Sequence, residues 1–227
     1  KRFLKGIFFF FFPETKKVSM QGKFITFEGG EGTGKSTQIR LLAQELNSLK
    51  IPHILTREPG GSVGAELIRT LLVTGSTDKW TPVSEALLMY ASRAEHWVHT
   101  ILPALQQGKW VICDRFADSS TAYQGYGHGV SLDFLKQLYA QTVGTQEPDR
   151  TYILDLDPSI GLERSKTRLN KIKNDQAESR FETYNLDFHQ RVHKGFLEIA
   201  QANPNRCCVF NANQDSKTLH GQIMEDL

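Results

Sequence analysis

A glycine-rich loop between an apolar run and a helical pattern constrains this chain more than any other feature. Residues 29–36 read Gly-Gly-Glu-Gly-Thr-Gly-Lys-Ser, which fits the P-loop pattern G-x-x-x-x-G-K-[ST]. A β-rich run at 24–27 precedes the loop, and residues 38–46 place apolar side chains at helical spacing. Successive N–H groups of such a loop, together with the positive end of the helix dipole, bind phosphate. The stretch therefore predicts a strand, a phosphate-binding loop and a helix.

The residue types in the loop indicate a nucleoside triphosphate. Lys35 is placed to reach the outer phosphates, and the Ser36 hydroxyl can ligate Mg²⁺. The predicted ATP site comprises Gly29, Gly30, Glu31, Gly32, Thr33, Gly34, Lys35, Ser36 and Thr37. A glycine-rich turn with a chance Lys-Ser pair is the alternative, and the strand and helix on the correct sides of the loop argue against it.

Composition bounds the class of protein. The 227 residues are 39% apolar, which suits one soluble α/β domain with a substantial core. A net charge of +2 gives no bulk argument for a nucleic-acid partner. Cys113, Cys207 and Cys208 have no C-x-x-C spacing, which argues against a disulfide framework or a zinc site. We therefore expect a reducing, cytoplasmic location.

Residues 1–19 differ from the rest of the chain. A basic start leads into five phenylalanines at 8–12 and then Pro13. This run is at the short limit for a signal-peptide core, lacks a small-residue cleavage site and is far too short to span a bilayer. We expect a non-native or disordered extension before Met20, and no membrane partner.

From residue 20 onward, strand-like and helix-like segments alternate. Strands are predicted at 23–28, 53–56, 109–114, 150–156 and 207–212. Helices are predicted from about 35 to 46 and at 65–73, 84–107, 132–142, 159–168 and about 184–202, with Pro103 kinking the longest one. This alternation predicts an α/β protein, in which 20–227 form a single P-loop domain. Its three layers are a mostly parallel sheet and helices on both faces.

Charged residues follow several of the predicted strands. The P-loop, Arg57, the Asp114-Arg115 pair and the acidic stretch 155–157 all occupy such positions. The carboxyl ends of parallel strands meet at one edge of a sheet, so these residues are expected to form one site. Guanidinium groups bind phosphate oxygens in pairs, so Arg57, Arg93 and Arg115 suit a second phosphorylated ligand. A solvated surface charge is the alternative for each arginine taken singly.

Two further segments suit a nucleotide site. Tyr123 and Gln124 follow the Arg115 strand, where a ring and an amide can contact a base or ribose, although a tyrosine packed on the core is the alternative. The polar segment 165–182 carries Arg168 and Arg180 and is preceded by Arg164. A mobile lid that brings arginines to the transferring phosphoryl group fits this composition, and a solvated charged linker is the alternative.

Four motifs together resemble the bacterial thymidylate kinases, a family of P-loop nucleoside monophosphate kinases. They are the run 27–38, Thr-Arg-Glu-Pro-Gly-Gly at 56–61, Asp-Arg-Phe at 114–116 with Ala-Tyr-Gln-Gly at 122–125, and Leu-Asp-Leu-Asp-Pro at 154–158. The resemblance extends from Met20 to the end. It implies Mg²⁺-ATP-dependent phosphorylation of dTMP to dTDP in dTTP synthesis, ATP and dTMP as ligands, and a homodimer.

The resemblance also implies roles for single residues. The dTMP site would comprise Glu31, Arg57, Met89, Arg93, Arg115, Ser119, Ser120, Tyr123 and Gln124. Arg57 and Arg115 would hold the acceptor phosphate, and Arg93 would read the thymine edge. Tyr123 would pack near the deoxyribose and disfavour a 2′-hydroxyl. Met89 occupies a position where many relatives carry a phenylalanine that stacks on the base.

The implied catalytic set is Glu31, Lys35, Arg115, Arg168 and Arg180, and the implied metal site is Ser36 with Asp114. Some family members carry a basic residue directly after the acid of the P-loop, but this chain has Gly32 there. By resemblance, its catalytic arginines are therefore expected from the lid.

Two other functions remain open from the sequence. One is a kinase for another nucleotide, such as dUMP or dCMP, or for a nucleoside; the methionine at position 89 is the residue that raises it. The other is a non-catalytic P-loop module or a DNA-associated ATPase. Such a protein would lack the lid arginines or carry a long basic stripe.

Overall fold

A computed structural model describes residues 22–171 and 180–227, and the side chains of 168–171 lie outside that description. The predicted extension at 1–19 lies outside the described residues. The same is true of 172–179 within the predicted lid, and of the Arg168 side chain.

The elements alternate along the chain as predicted. The strands are β1 (Phe24–Glu28), β2 (His53–Arg57), β3 (Trp110–Asp114), β4 (Arg150–Asp155) and β5 (Cys207–Asn211). The α-helices are α1 (Lys35–Ser48), α2 (Val63–Val73), α3 (Pro82–His96), α4 (Leu102–Gln106), α5 (Ala117–Ser120), α6 (Leu132–Thr142), α7 (Pro158–Lys171), α8 (Leu186–Ala202) and α9 (Ser216–Asp226). Wider π-helical turns cover Trp97–Ile101 and Thr121–Gly127, and a 3₁₀ turn covers Phe181–Thr183.

The strands of the described chain form one parallel sheet in the order β2-β3-β1-β4-β5. Strand β1 is central, with Ile25 opposite Ile112 of β3 and Phe27 opposite Tyr152 of β4. Helices cover both faces of the sheet, which confirms the predicted α/β class. The P-loop leaves the end of β1 and is therefore flanked by the ends of β3 and β4.

Alternating side chains of the strands supply a core to each face. Ile25 and Phe27 pack with Leu42 of α1 and Ile223 of α9 on one face. On the other face, Cys207 packs among side chains of α8, whereas the neighbouring Cys208 packs against the first cluster. All three cysteines are free thiols, in agreement with the absence of C-x-x-C spacing.

The long helix predicted at 84–107 is divided. Helix α3 ends at His96, a π-helical turn follows, and α4 begins at Leu102. The Leu102 N–H donates to the Trp97 carbonyl, five residues back. Pro103 has no N–H to donate and its ring crowds the preceding turn, which explains why the helical ladder widens there.

Two helical regions carried no sequence signal that we recognised. One is α9, and the other comprises α5 with the turn Thr121–Gly127. Gly125 and Gly127 obscure the helical pattern, yet they suit the packing: a Cβ on Gly127 would lie 2.6 Å from the Phe188 ring of α8. Tyr123 therefore lies on a helical turn rather than in a loop. In the part of the chain that is described, no helix is both long enough and apolar enough to cross a bilayer.

Candidate active site

The P-loop closely approaches the start of α7, and this contact explains Gly32. Gly32 has φ +66°, and a Cβ there would lie 2.1 Å from the Gly161 carbonyl oxygen. A side chain at this position would collide with backbone, which cannot move aside as a flexible side chain can. The basic residue that some family members place after the P-loop acid is therefore excluded by packing as well as being absent from the sequence.

Lys35 is held inside the loop. Its Nζ donates to the carbonyl oxygens of Gly30 at 2.8 Å and Gly29 at 3.2 Å. Burial and the positive charge of Arg115 lower the pKa of Lys35 to about 8, although nearby carboxylates oppose the shift. The hydrogen-bond partners of the ammonium group among the described residues are neutral oxygens, the two carbonyls and the Thr33 hydroxyl at 3.4 Å. Phosphate oxygens would be stronger acceptors for the same protons.

The two predicted metal ligands lie together. Ser36, in the first turn of α1, donates its hydroxyl to Asp114 Oδ2 at 3.1 Å, at the end of β3. Among the described residues, no group of three or more His, Cys, Asp or Glu side chains is arranged to hold a metal ion. One hydroxyl and one carboxylate are hard oxygen donors that fit Mg²⁺, which in nucleotide enzymes takes its other ligands from phosphates and water.

Arg115 joins the P-loop to the acceptor side of the site. Its guanidinium donates to the Gly29 carbonyl at 2.9 Å and to Glu31 Oε1 at 2.8 Å. Tyr123 donates its hydroxyl to the same Glu31 oxygen at 2.7 Å. Burial alone would raise the pKa of Glu31, but the charges of Arg115 and Lys35 outweigh it and lower the pKa to about 2. Glu31 is therefore a carboxylate at neutral pH.

Glu28 is a buried carboxyl group for which no role was predicted. It ends β1, accepts the Phe116 N–H at 2.7 Å and accepts the Ser119 hydroxyl at 2.5 Å. Burial, together with the negative charge of Asp118, raises the pKa of Glu28 to about 8. The carboxyl group thus holds the segment from Arg115 to Ser119 against the P-loop strand. The position of Glu28, an acid at the end of an apolar strand, is the feature of the sequence that could have identified it.

Arg93 lies at the other end of the site and is almost fully buried. Its Nε donates to Glu58 Oε2 at 2.8 Å, and its Nη2 donates to Ser120 Oγ at 2.9 Å. The third nitrogen, Nη1, has no hydrogen-bond partner among the described residues. Glu58 is held in turn by His96 Nδ1, 3.0 Å from Oε1. Sequence reasoning missed both Glu58 and His96, which orient Arg93 and leave one donor unused.

Arg57 is more exposed than the other predicted phosphate ligands. Its Nη2 lies 3.3 Å from Glu66 Oε2, with about half of each side chain exposed. Arg69, for which no role was predicted, donates to the Pro59 carbonyl at 2.5 Å and also lines the cavity. An exposed pair of this kind is weak, so Arg57 can exchange Glu66 for a phosphate at little cost.

Arg180 is not in the site, which corrects the prediction of a catalytic lid residue. Its guanidinium is fully buried and lies 2.5 Å from Glu85 Oε2. The other donors reach the carbonyl oxygens of Leu72, Ser76 and Thr77 and the Tyr184 hydroxyl. Four hydrogen bonds and the ion pair with Glu85 thus hold the guanidinium in place. The basic stretch around Arg180 suggested a catalytic role. The carboxylate that binds Arg180, however, lies 95 residues earlier in the sequence, so the stretch itself does not reveal the pairing.

One cavity of about 810 Å³ brings most of the predicted residues together. Its lining includes Glu31, Gly32, Thr33, Gly34, Lys35, Ser36, Thr37, Arg57, Met89, Arg93, Asp114, Arg115, Ser119, Ser120, Tyr123, Gln124 and Arg164. Gly29 and Gly30 contribute carbonyl oxygens to Lys35 beneath this lining. The volume is within the range of small-molecule sites. The lining includes both the P-loop and Arg93.

The chain is similar to known proteins over most of its length. A family model described as thymidylate kinase matches residues 27–223. The chain is 49% identical to a thymidylate kinase of Caulobacter vibrioides over 205 residues, covering 90% of this chain and 95% of the relative. It is 47% identical to a thymidylate kinase of Magnetococcus marinus, covering 92% and 96%. A crystal structure of thymidylate kinase from Ehrlichia chaffeensis superposes with a TM-score of 0.72 at 35% identity, covering 90% of this chain and 98% of that one.

Proposed function

The chain belongs to the thymidylate kinase family, whose enzymes phosphorylate dTMP to dTDP with ATP, and we propose how its cavity residues divide this work. The observation that carries the proposal is that one cavity is lined both by the P-loop lysine and by Arg93, which has an unused donor. The P-loop end binds ATP, and the Arg93 end binds the base of the acceptor. Arg115 lies between them, where the two phosphates meet.

At the ATP end, the backbone N–H groups of residues 29–37 and the Lys35 ammonium hold the β- and γ-phosphates. Ser36 and Asp114 would hold Mg²⁺, which would supply charge neutralisation for the triphosphate. The 3.1 Å contact between their oxygens supports a shared role. The low number of protein ligands suits a metal ion that arrives with the nucleotide.

At the acceptor end, Arg57 and Arg115 bind the dTMP phosphate, and Glu31 with Tyr123 borders the sugar. Met89 covers the base, and the free Nη1 of Arg93 donates to a base carbonyl. A buried guanidinium nitrogen without a partner is costly, so a ligand acceptor at this point is favoured. Ser119 and Ser120 complete the wall through their contacts with Arg115 and Arg93.

The reaction needs positioning more than proton transfer. An oxygen of the dTMP phosphate, ionised at neutral pH, attacks the γ-phosphorus while the bond to the β–γ bridging oxygen breaks and ADP leaves. Arg115 neutralises both the acceptor and the transferring group. Arg168 is proposed to add positive charge from the lid, and Arg164, which lines the cavity, is a second candidate. Arg180 is left out of this set because its donors are occupied.

Initial rates with ATP and a panel of acceptors test the proposal. We expect Mg²⁺-dependent transfer to dTMP, with dUMP, UMP and dCMP poorer and thymidine inactive, since thymidine has no phosphate for Arg57 and Arg115. Chelation of Mg²⁺ should abolish turnover. Equal use of thymidine would contradict the acceptor-phosphate roles, and full activity without a divalent ion would contradict the Ser36–Asp114 assignment.

We further propose a homodimer formed through α2 and α3. Apolar side chains on these helices remain exposed, among them Val63, Leu67, Leu71, Val83 and Leu87. Val63 and Leu67 are 86% and 68% exposed, four residues apart on one helical face. Exposed apolar side chains in such number are typical of an interface.

Sedimentation equilibrium tests the dimer. The wild-type chain should sediment at twice the mass of one chain, and Leu67→Glu should shift it to the monomer because a carboxylate cannot be buried there unpaired. Leu49→Glu is the matched control, since Leu49 is 60% exposed at the end of α1, away from this surface. A monomeric wild type, or an unchanged Leu67→Glu variant, would contradict this interface.

We propose a cytoplasmic location as well. Three free thiols, two of them buried, suit a reducing compartment. The substrates ATP and dTMP are consistent with that compartment.

A further inference from the structure

Glu85 lies behind the acceptor pocket and contacts residues from three parts of the chain. It belongs to α3 and is 1% exposed. Its Oε1 accepts the Gln124 amide Nε2 at 2.9 Å and lies 3.3 Å from His128 Nε2, and its Oε2 lies 2.5 Å from Arg180 Nη1. None of the roles described above uses Glu85, although it directly contacts a residue of the cavity wall.

The charge state of Glu85 decides which way the Gln124 amide faces. Burial raises the pKa of Glu85, but the contacts with His128 and Gln124 and the charge of Arg180 outweigh it and lower the pKa. An ionised carboxylate only accepts hydrogen bonds, so Gln124 must turn its NH₂ group toward Glu85. The amide oxygen Oε1 is consequently turned away, and it is buried without a partner among the described residues.

Gln124 and Arg93 line the same cavity, and each carries one unsatisfied group. Gln124 offers an acceptor, Oε1, and Arg93 offers a donor, Nη1. Thymine and uracil present a ring N3–H donor beside a carbonyl acceptor at position 4. Cytosine presents the opposite pair, a ring nitrogen acceptor beside an amino donor. The free acceptor of Gln124 and the free donor of Arg93 therefore match the first pair in hydrogen-bonding sense, whereas the second pair would set an acceptor against an acceptor and a donor against a donor.

We propose that Glu85 is a positioning residue for base specificity, which fixes the hydrogen-bonding sense of Gln124 so that the site accepts a ring N–H and rejects cytosine. This inference rests on the proposed function, because it needs dTMP as the acceptor. Arg180 contributes by holding Glu85 in place. The hydrogen bond from Gln124 Nε2 to Glu85 Oε1 gives the amide one orientation instead of two.

The test is Glu85→Gln, assayed with dTMP, dUMP and dCMP. A glutamine at 85 can donate as well as accept, so the Gln124 amide is free to take either orientation. We expect the ratio of kcat/KM for dTMP to that for dCMP to fall at least about tenfold. The ratio for dTMP to dUMP should change less than about twofold, because both bases carry N3–H. Glu45→Gln, an exposed helical glutamate, is the matched control.

A charge exchange provides the rescue. In the double variant Glu85→Gln/Gln124→Glu, the residue at 124 is an acceptor only, and the residue at 85 can donate to it and accept from Arg180. We expect the dTMP-to-dCMP ratio to return toward the wild-type value. A general loss of packing would lower activity with all three nucleotides and would not be rescued by this exchange.

A second variant keeps the inference testable if Glu85→Gln does not fold. Gln124→Met removes the acceptor and leaves Glu85 paired with Arg180, and it should also lower the dTMP-to-dCMP ratio. An unchanged ratio in a folded Glu85→Gln or Gln124→Met variant would overturn the inference while leaving the proposed function intact. A wild-type protein that transfers phosphate to none of these nucleotides would instead overturn the proposed function.

Discussion

Replacing Lys35 with methionine is expected to lower kcat with ATP and dTMP at least about a thousandfold. Methionine preserves much of the length and the apolar stem, so the change removes mainly the positive charge from the P-loop. Lys35 Nζ donates to the carbonyl oxygens of Gly29 and Gly30, and in the proposed mechanism it donates these hydrogen bonds to phosphate oxygens instead. Single-turnover and steady-state rates measure the loss, and circular dichroism checks the fold.

Lys194→Met is the matched control, since the side chain of this lysine is 74% exposed on α8 and does not line the cavity. A Lys35→Met enzyme that keeps even a tenth of the wild-type kcat would contradict the assigned role.

The lowered pKa of Lys35 adds a pH signature. In the free protein the lysine is protonated below pH 8 and loses its charge as the pH rises through about 8. ATP affinity should therefore weaken above pH 8 in the wild type and show a smaller dependence in Lys35→Met. Glu28, which ionises in the same range, is present in both proteins, so the difference between the two profiles isolates the lysine.

The second large effect is expected from Arg115→Met, which should lower kcat/KM for dTMP at least about a thousandfold. The substitution removes a fork that contacts both the P-loop carbonyl of Gly29 and the carboxylate of Glu31. It also leaves Glu31 without its principal cation, so a negative charge would face the incoming phosphates. The KM for ATP should change much less, because the P-loop itself remains.

The conservative change Arg115→Lys separates charge from geometry. Lysine keeps the charge but not the planar pair of donors, so an intermediate loss is expected. Arg40→Met, at an exposed position of α1, is the matched control. An Arg115→Met enzyme within tenfold of the wild type would show that Arg115 only supports the loop.

Arg115 combines a proposed functional role with an unusual backbone conformation. Its φ is +69°, a left-handed value that is uncommon for a residue with a side chain. The strain is held by the backbone bond from Arg115 N–H to the Phe27 carbonyl and by the clamp of Glu28 on Phe116 and Ser119. The neighbouring positions are therefore expected to be sensitive even to small substitutions.

The sequence alone was enough for the sheet, the P-loop and the edge at which the site lies. These depend on local patterns: the apolar runs of the strands, the spacing of glycines before Lys35, and the rule that parallel strands end at one edge. For the same reason, the sequence was enough to assign to one site six residues that line the cavity: Arg57, Arg93, Asp114, Arg115, Tyr123 and Gln124. Each stands next to a local signal.

Only the tertiary structure decided which charged side chains line the cavity and which are paired with other residues of the protein. Arg180 and Arg164 look alike in a basic run, but Arg180 is buried against Glu85 and Arg164 borders the cavity. No role was predicted for Glu28, Glu58 or Glu85, because a carboxylate gains its role from partners that lie tens of residues away. Hydrogen bonds and burial act through space, so the pairing of such groups follows from the fold and cannot be read from spacing along the chain.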